Sequence, residues 1–365
     1  MKKFFILLFM QIAICCTTFA TNYLTFTAEE DNSSFWIVEN DINWNIFYSL
    51  DNGETWKQLT NEPVSLSKGD RALLKGEEPD KKPSWTSYLN FSMTGLIAAS
   101  GSVMSLVDGN GEGKTIPYDY CFYSLFQDCT SLTQAPELPA TQLAERCYQC
   151  MFLKCENLKQ APELPATQLT QSCYQGMFMG CSSLTKAPEL PATTLANNCY
   201  QYMFEDCESL TQAPELPAPK LEKACYSFMF YGCKNLSRIK VAFTDWGFSS
   251  PYTYSWTDNV AKNGTFICPK NLPKIYGETH IPDGWTVIQE EDSSTEAVAA
   301  TEGTMVHTSG LTIFVRNADA DIEIYEVGGK LIGKTRTMNG EAQMTVPQSG
   351  IYLVKTGAQT FKVVL

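Results

Sequence analysis

The sequence predicts an α/β solenoid flanked by two β-rich domains. Three observations support this fold class: a segment that recurs every 26 residues, an apolar step of four residues inside each copy, and alternating apolar residues on both sides of the repeats. Repetition at about 20 to 50 residues is typical of solenoids and arrays, because a short unit cannot bury its own apolar face but stacked units can.

Five copies of the repeat begin at equivalent cysteines: Cys121, Cys147, Cys173, Cys199 and Cys225. In the fourth copy, apolar residues at steps of four predict one stripe on a short helix: Leu195, Cys199, Met203 and Cys207. The segment Ala213–Pro217 predicts a short extended piece, since proline cannot donate to a strand ladder. A helix and an extended piece within about 20 to 29 residues predict a leucine-rich-repeat solenoid, here over residues 116–238.

The cysteines of the repeats are predicted to be buried thiols. Fourteen cysteines in an exported chain would suggest disulfides. On the predicted helices, however, equivalent cysteines of neighbouring copies would lie about 8–10 Å apart, beyond the about 7 Å that a disulfide allows between Cα atoms. Cys147 and Cys150 form one CxxC pair. Because Cys150 occupies a variable column, we interpret it as an exposed or half-buried thiol and not as part of a redox motif. With only His280 and His307 as histidines, neither a metal site nor a cofactor is predicted.

The copies, written GC-x-SL-x-x-APELPATTLA-x-x-CY-x-x-MF, resemble the BspA-like leucine-rich repeats of surface proteins from Bacteroidetes. The resemblance covers about Tyr118 to Leu236. That family is associated with the cell surface, with adhesion and with binding of host or bacterial ligands. The resemblance implies this class of role and transfers no binding residue.

Residues 1–20 have the pattern of a secretory signal peptide. Lys2 and Lys3 precede an apolar run, and cleavage is expected between Ala20 and Thr21. A lipid-modified Cys15 or Cys16 is the disfavoured alternative. No later apolar run reaches the about 18 residues of a transmembrane helix. The formal charge of −13 argues against nucleic acid and anionic lipid as partners.

Residues 21–115 predict an all-β domain that caps the first repeat. Within it, Ser49–Trp56 matches S-x-D-x-G-x-T-W and resembles the Asp-box of sialidases, but a single copy indicates a hairpin device and not that enzyme. Asp108–Asp119 nearly fits a calcium-binding loop. An acidic turn leading into the first repeat is the preferred interpretation, and calcium binding stays open.

Two sets of residues are candidate ligand-binding groups. One acidic column is constant in the repeats and would form a carboxylate ladder for a cation or a basic ligand: Glu137, Glu163, Glu189 and Glu215. Alternatively, these glutamates are solvated, or paired with Lys186 and its neighbours. Residues 239–289 are rich in aromatic residues and predict a cap for the last repeat. If some of these rings stay exposed, Trp246 and Trp256 would stack on sugars.

Residues 290–302 are polar and small and predict a linker. Residues 303–365 predict a compact β-sandwich with six alternating strands: Leu311–Val315, Ile322–Glu326, Lys330–Gly333, Ala342–Val346, Ile351–Lys355 and Phe361–Leu365. Ile324–Lys330, Gly350–Lys355 and Lys362–Leu365 resemble C-terminal sorting domains of the type IX secretion pathway, which implies an outer-membrane secretion machinery as a partner. They also resemble C-terminal modules that are retained.

The expected function is therefore an exported, non-enzymatic recognition or adhesion protein at the cell surface, in the outer membrane or outside the cell. Its partner would be a host or bacterial surface protein or a glycan. A passive structural component of the envelope or extracellular matrix is the alternative. No nucleophile, base and acid set is visible in the sequence, so no enzymatic activity is expected.

Overall fold

A computed structural model describes residues 22–247, 252–290, 305–309, 312–316, 321–326, 330–337, 341–347, 350–357 and 359–364. The expected signal peptide, its cleavage site and the linker residues 291–302 lie outside this description. The chain forms two compact units, Met1–Ile288 and Gln289–Leu365. Within the described ranges, no helix is long and apolar enough to cross a membrane.

The described part of the first unit contains twelve strands and one helix. They are β1 Leu24–Ala28, β2 Ser33–Asn40, β3 Ile46–Ser49, β4 Lys57–Gln58, β5 Val64–Leu66, β6 Arg71–Gly76, β7 Leu89–Thr94, β8 Ile97–Ser100, α1 Ser105–Asp108, β9 Leu132–Gln134, β10 Arg238–Lys240, β11 Thr265–Pro269 and β12 Thr286–Glu290.

The N-terminal strands form two sheets, ordered β4-β3-β6-β1-β8-β9 and β5-β2-β7. Buried and less buried residues alternate along β2 and β7, which is the pattern of strands with one face in a core. Phe26 meets Phe35 and Phe91 edge to face, with ring centroids 5.1 and 5.5 Å apart. These rings form the centre of the core between the two sheets.

The N-terminal sheet continues directly into the repeats. Strand β8 pairs in parallel with β9, with Ile97 opposite Leu132. The backbone N–H of Phe91 also donates to the carbonyl of Leu125 at 2.9 Å. One buried apolar cluster runs from Leu24 to Trp285, so the N-terminal sheets and the repeats share a single core.

The predicted α/β leucine-rich-repeat solenoid is wrong. The described residues are 33% strand and 1% helix, built from several small sheets, and the described part of the repeats contains no helix. In the second copy the backbone is left-handed at every fourth residue: φ is 54° at Arg146, 56° at Cys150 and 58° at Lys154. A right-handed helix cannot pass through such positions. The apolar step of four therefore marks a four-residue turn and not an α-helical turn.

Hydrogen bonds of the repeat backbone alternate between two partners. The N–H groups of Tyr148 and Phe152 donate to Cys173 and Met177 of the next copy, at 3.0 and 2.9 Å. Those of Met151 and Cys155 donate three residues back within their own copy. Half of the donors thus join neighbouring copies, which satisfies buried backbone groups without a helix or a long strand.

Side chains stack in register on this backbone. The phenylalanine rings of neighbouring copies lie face to face, with centroids 5.6 to 5.7 Å apart: Phe126, Phe152, Phe178, Phe204 and Phe230. A tyrosine column beside it has centroids 5.8 to 6.1 Å apart: Tyr148, Tyr174, Tyr200 and Tyr226. The copies are therefore closer together than the packed helices that the sequence predicts.

The cysteine columns are buried free thiols, as predicted, but not for the predicted reason. Because the copies lie closer together than packed helices, the predicted helix separation of about 8–10 Å no longer explains why the cysteines of neighbouring copies stay unlinked. Instead, each thiol of the second column donates to a phenylalanine carbonyl. Cys129 donates to Phe91 of β7, and the later thiols donate to the preceding copy, as Cys181 does to Phe152 at 3.1 Å. This bond needs the proton, and burial raises the pKa of the Cys155 and Cys207 thiols well above the ordinary value.

The same backbone pattern continues beyond the last copy that the sequence shows. Tyr226, Phe228 and Phe230 donate their N–H groups to the carbonyls of Tyr252, Tyr254 and Trp256, at 2.8 to 2.9 Å. Strand β10 then pairs in parallel with β11, which pairs with β12. Residues 252–258 thus form a sixth turn segment. Its sequence is too divergent to reveal it, because Trp256 occupies the phenylalanine position.

Seven strands lie in the described residues of the second unit: β13 Met305–Ser309, β14 Thr312–Arg316, β15 Ile322–Glu326, β16 Leu331–Thr335, β17 Ala342–Thr345, β18 Ile351–Thr356 and β19 Gln359–Val364. They form two sheets, ordered β13-β14-β17 and β16-β15-β18-β19. Ile313 and Val315 of one sheet share a buried cluster with Ile324, Tyr352 and Val354 of the other. Alternating apolar residues in the sequence predicted six of these strands, β14 to β19, but not β13.

Replacing Phe178 with alanine should lower the free energy of unfolding by about 3–5 kcal/mol, because its ring is buried between two others. Chemical denaturation followed by circular dichroism measures this loss. The exposed Thr167→Ala variant is the control and should change stability by less than about 0.5 kcal/mol. A loss below about 1 kcal/mol for Phe178→Ala would contradict the stacked column.

Replacing Lys154 with glycine should stabilise the protein by up to about 1 kcal/mol, since glycine adopts a positive φ without steric cost. Glu156, two residues further on, is exposed and has no positive φ, so Glu156→Gly should destabilise by a similar amount. Thermal unfolding of the two variants tests the backbone directly. Destabilisation by both would indicate a right-handed segment.

Candidate functional site

The four glutamates of the repeats occupy one exposed edge of the stacked copies. Each is exposed and is followed by a buried leucine, which anchors the segment and directs the glutamate outward. Gln160 bridges Lys186 in parallel, and Gln212 bridges Arg238, so these segments follow one another in register. We call Glu137, Glu163, Glu189 and Glu215, with the prolines beside them, the glutamate edge.

The two ends of the glutamate edge are paired within the protein. Glu137 accepts a hydrogen bond from the Asn22 side chain at 2.7 Å, and Glu215 lies 3.6 Å from the ammonium of Lys240. The two central members, Glu163 and Glu189, have no side-chain hydrogen bond or ion pair to any described residue. Lys186, the partner that the sequence suggested, also forms no ion pair within the described ranges.

Two shallow grooves adjoin Glu163, with volumes of about 400 and 470 Å³. Both are lined by Ala135, Pro162 and Glu163. Pro136 and Pro165 complete the first, and Lys159 contributes to the second. Prolines have no N–H to donate, so neighbouring copies are not fully joined by backbone hydrogen bonds here and a groove remains between them. The surface combines rigid apolar walls with an unpaired carboxylate.

This arrangement can bind but does not resemble a catalytic centre. A carboxylate accepts hydrogen bonds from ammonium, guanidinium or hydroxyl groups, and the proline walls offer apolar contact. His280 lies in the C-terminal cap, with its Nδ1 2.7 Å from the Thr279 hydroxyl, and burial lowers its pKa. Among the described residues, no three His, Cys, Asp or Glu side chains are grouped so that they could hold a metal ion.

The structure does not support sugar stacking by Trp246 or Trp256. Their exposed fractions are 5% and 0%, and their ring centroids lie 6.1 Å apart in the core of the cap. Their indole N–H groups donate to the carbonyls of Pro273 and His280. Both rings cover the last stacked copy, so neither is exposed in the way that the sugar-stacking alternative requires.

The Asp108–Asp119 segment is an acidic turn whose carboxylates serve the fold. Asp108 accepts hydrogen bonds from the backbone N–H groups of Asn110, Gly111 and Gly113, at 2.6 to 2.9 Å. Asp119 accepts one from the N–H of Glu145 in the next copy, at 3.0 Å. These carboxylates satisfy backbone donors and are not turned toward a common centre with Glu112.

The Asp-box-like segment forms the predicted hairpin between β3 and β4. Asp51 accepts hydrogen bonds from the Ser49 hydroxyl and the Thr55 N–H, at 2.6 and 2.9 Å, and these bonds lower its pKa to about 2. Gly53 has a φ of 93°, and Trp56 donates to its carbonyl. Each group of the motif is used inside the turn.

Comparisons with known proteins leave the family open. No protein-family model matches the chain, and a search of curated proteins found no significant match.

We expect Asp108→Ala to lower the free energy of unfolding by about 1–3 kcal/mol, since three backbone donors lose their acceptor. Millimolar calcium should leave the melting temperature of the wild-type protein unchanged. Differential scanning calorimetry with and without calcium measures both effects. A calcium-induced rise that is lost in Asp108→Ala would identify a calcium site instead.

Proposed function

We propose that the protein is an exported, non-enzymatic recognition protein that binds a surface protein or glycan through the glutamate edge. The observation that carries this proposal is the unequal pairing along the edge. Both ends are bonded within the protein, whereas Glu163 and Glu189 are exposed and unpaired among the described residues, and Glu163 also lines the two grooves. Four like charges on one face are unfavourable unless solvent or a ligand compensates them. The resemblance of the copies to BspA-like repeats supports the same role.

The core that the repeats share with the flanking elements supports a binding function, because it holds the glutamate edge on a continuous packed scaffold. The N-terminal sheets and the aromatic cap cover the two ends of the stacked copies and share one buried apolar cluster with them. A rigid edge loses little conformational entropy when it binds, which favours recognition of an extended partner. Residues 303–365 are proposed to act as a delivery module, because their sequence resembles sorting domains.

The test is binding of the purified protein to immobilised matrix proteins, mucins and glycans, measured by surface plasmon resonance. A saturable interaction should weaken at least roughly tenfold in the double variant Glu163→Gln/Glu189→Gln, because charge-assisted hydrogen bonds are lost. Glu112→Gln/Glu156→Gln removes the same charge from exposed residues outside the edge and should bind like the wild type.

Equal weakening by both double variants would indicate an effect of net charge and not of the edge. The complete lack of a saturable partner, for protein shown to be folded, would favour the alternative of a passive structural component in the envelope or matrix. Deletion of the protein should then alter envelope integrity and leave adhesion unchanged.

A further inference from the structure

A second surface of the repeats carries aromatic side chains that the fold does not require. Three residues after the first cysteine, successive copies have Ser124, Cys150, Gly176, Tyr202 and Phe228, and Tyr254 follows in the sixth turn segment. Tyr202 and Phe228 have left-handed φ values of 59° and 57°, where a bulky residue is disfavoured. Gly176 shows that glycine suits this position, so the two rings are retained at a conformational cost.

These rings form one partly exposed cluster, which we call the aromatic patch: Tyr202, Phe228, Tyr231 and Tyr254. Tyr202 and Phe228 are stacked with centroids 4.9 Å apart. Tyr231 and Tyr254 meet Phe228 edge to face, at 6.0 and 5.2 Å. Tyr254 is 46% exposed, and the other three are partly exposed. Rings at right angles beside open solvent present both faces and edges to a ligand.

An uncompensated carboxyl group lies beside the patch. Glu205 occupies the same column as Tyr231, and its Oε2 atom is buried without a hydrogen-bond partner among the described residues. Burial, and then the neighbouring Asp206, raise the pKa of Glu205 to about 7. In the preceding copy this position is Met179, so the stacked fold does not need a carboxyl group here.

We propose that the aromatic patch and Glu205 bind a lysine or arginine side chain of a partner protein. A cation over these rings gains cation–π attraction, and its N–H groups supply the donor that Oε2 lacks. Charge complementarity favours this occupant, because Glu205 and Asp206 lie together and neither forms an ion pair with a described cation. Lys234, the cation that interacts electrostatically with Asp206, is already paired with Glu208. A neutral sugar could cover the rings but would leave the repulsion between the two carboxylates, and an anionic ligand would increase it.

Binding of a cation should depend on pH through Glu205. The titratable groups around it are Asp206, Tyr202, Tyr231 and Cys233. Burial raises the pKa of Tyr202 and of Cys233, which therefore stay protonated near neutrality. Because only the ionised carboxylate attracts the cation, affinity should increase by up to roughly tenfold between pH 6 and pH 8.

The experiment uses fluorescein-labelled octa-lysine as the probe and fluorescence anisotropy of the full-length protein as the readout. The test variant is Tyr202→Gly/Glu205→Met, which introduces the residues found at the same positions of the preceding copy and so preserves a sequence that this fold accepts. We expect it to weaken octa-lysine binding at least tenfold and to abolish the pH dependence. Its melting temperature confirms folding.

Three controls separate this site from the glutamate edge and from general charge. Glu156→Gln should leave binding unchanged, and Glu163→Gln/Glu189→Gln should retain the pH dependence. Unlabelled maltoheptaose, a neutral oligosaccharide, should not compete with the probe. The proposal is overturned if folded wild-type protein does not bind octa-lysine, if the test variant binds it as tightly as the wild type with the same pH dependence, or if maltoheptaose displaces it.

Discussion

The backbone hydrogen bonds between neighbouring copies are the interaction on which the rest of the first unit depends. Every second N–H group of the turn segment donates to the next copy, and the others close turns of four residues. This division is possible because a left-handed residue recurs every four positions, so the chain can neither coil into a helix nor extend into a long strand. It sets the spacing of the copies, and the spacing places identical side chains directly above one another.

The stacked columns follow from that spacing. Phenylalanine and tyrosine rings lie face to face, and from Cys155 onward each thiol of the second cysteine column donates to a carbonyl of the copy before it. A buried thiol is small enough for the interior and still supplies a donor, which an alanine could not. The stack also needs covers at both ends. The N-terminal sheet supplies one through β8 and β9, and the tryptophan-rich cap supplies the other.

The two proposed binding surfaces are columns that face outward from this architecture. Along the glutamate edge, a constant residue recurs on the outside, and among the described residues only its end members find partners. In the aromatic patch, a variable position carries rings only in the later copies. The two surfaces differ in how they could be found. A constant acidic column is visible in the sequence, whereas the patch needs the stacking that brings Tyr202, Phe228 and Tyr254 together.

The sequence alone determined the repeat, its 26-residue period, the buried columns and six strands of the second unit, because these depend on periodicity and hydrophobicity. It could not determine the conformation of the turn segment, since a step of four apolar residues fits a helix as well as turns with a left-handed residue. Only the tertiary structure decided between them, because the turns are stable only when a neighbouring copy accepts half of their hydrogen bonds. The same dependence explains why the burial of Trp246 and Trp256, the sixth turn segment and the unpaired state of Glu163 and Glu205 were not evident from the sequence.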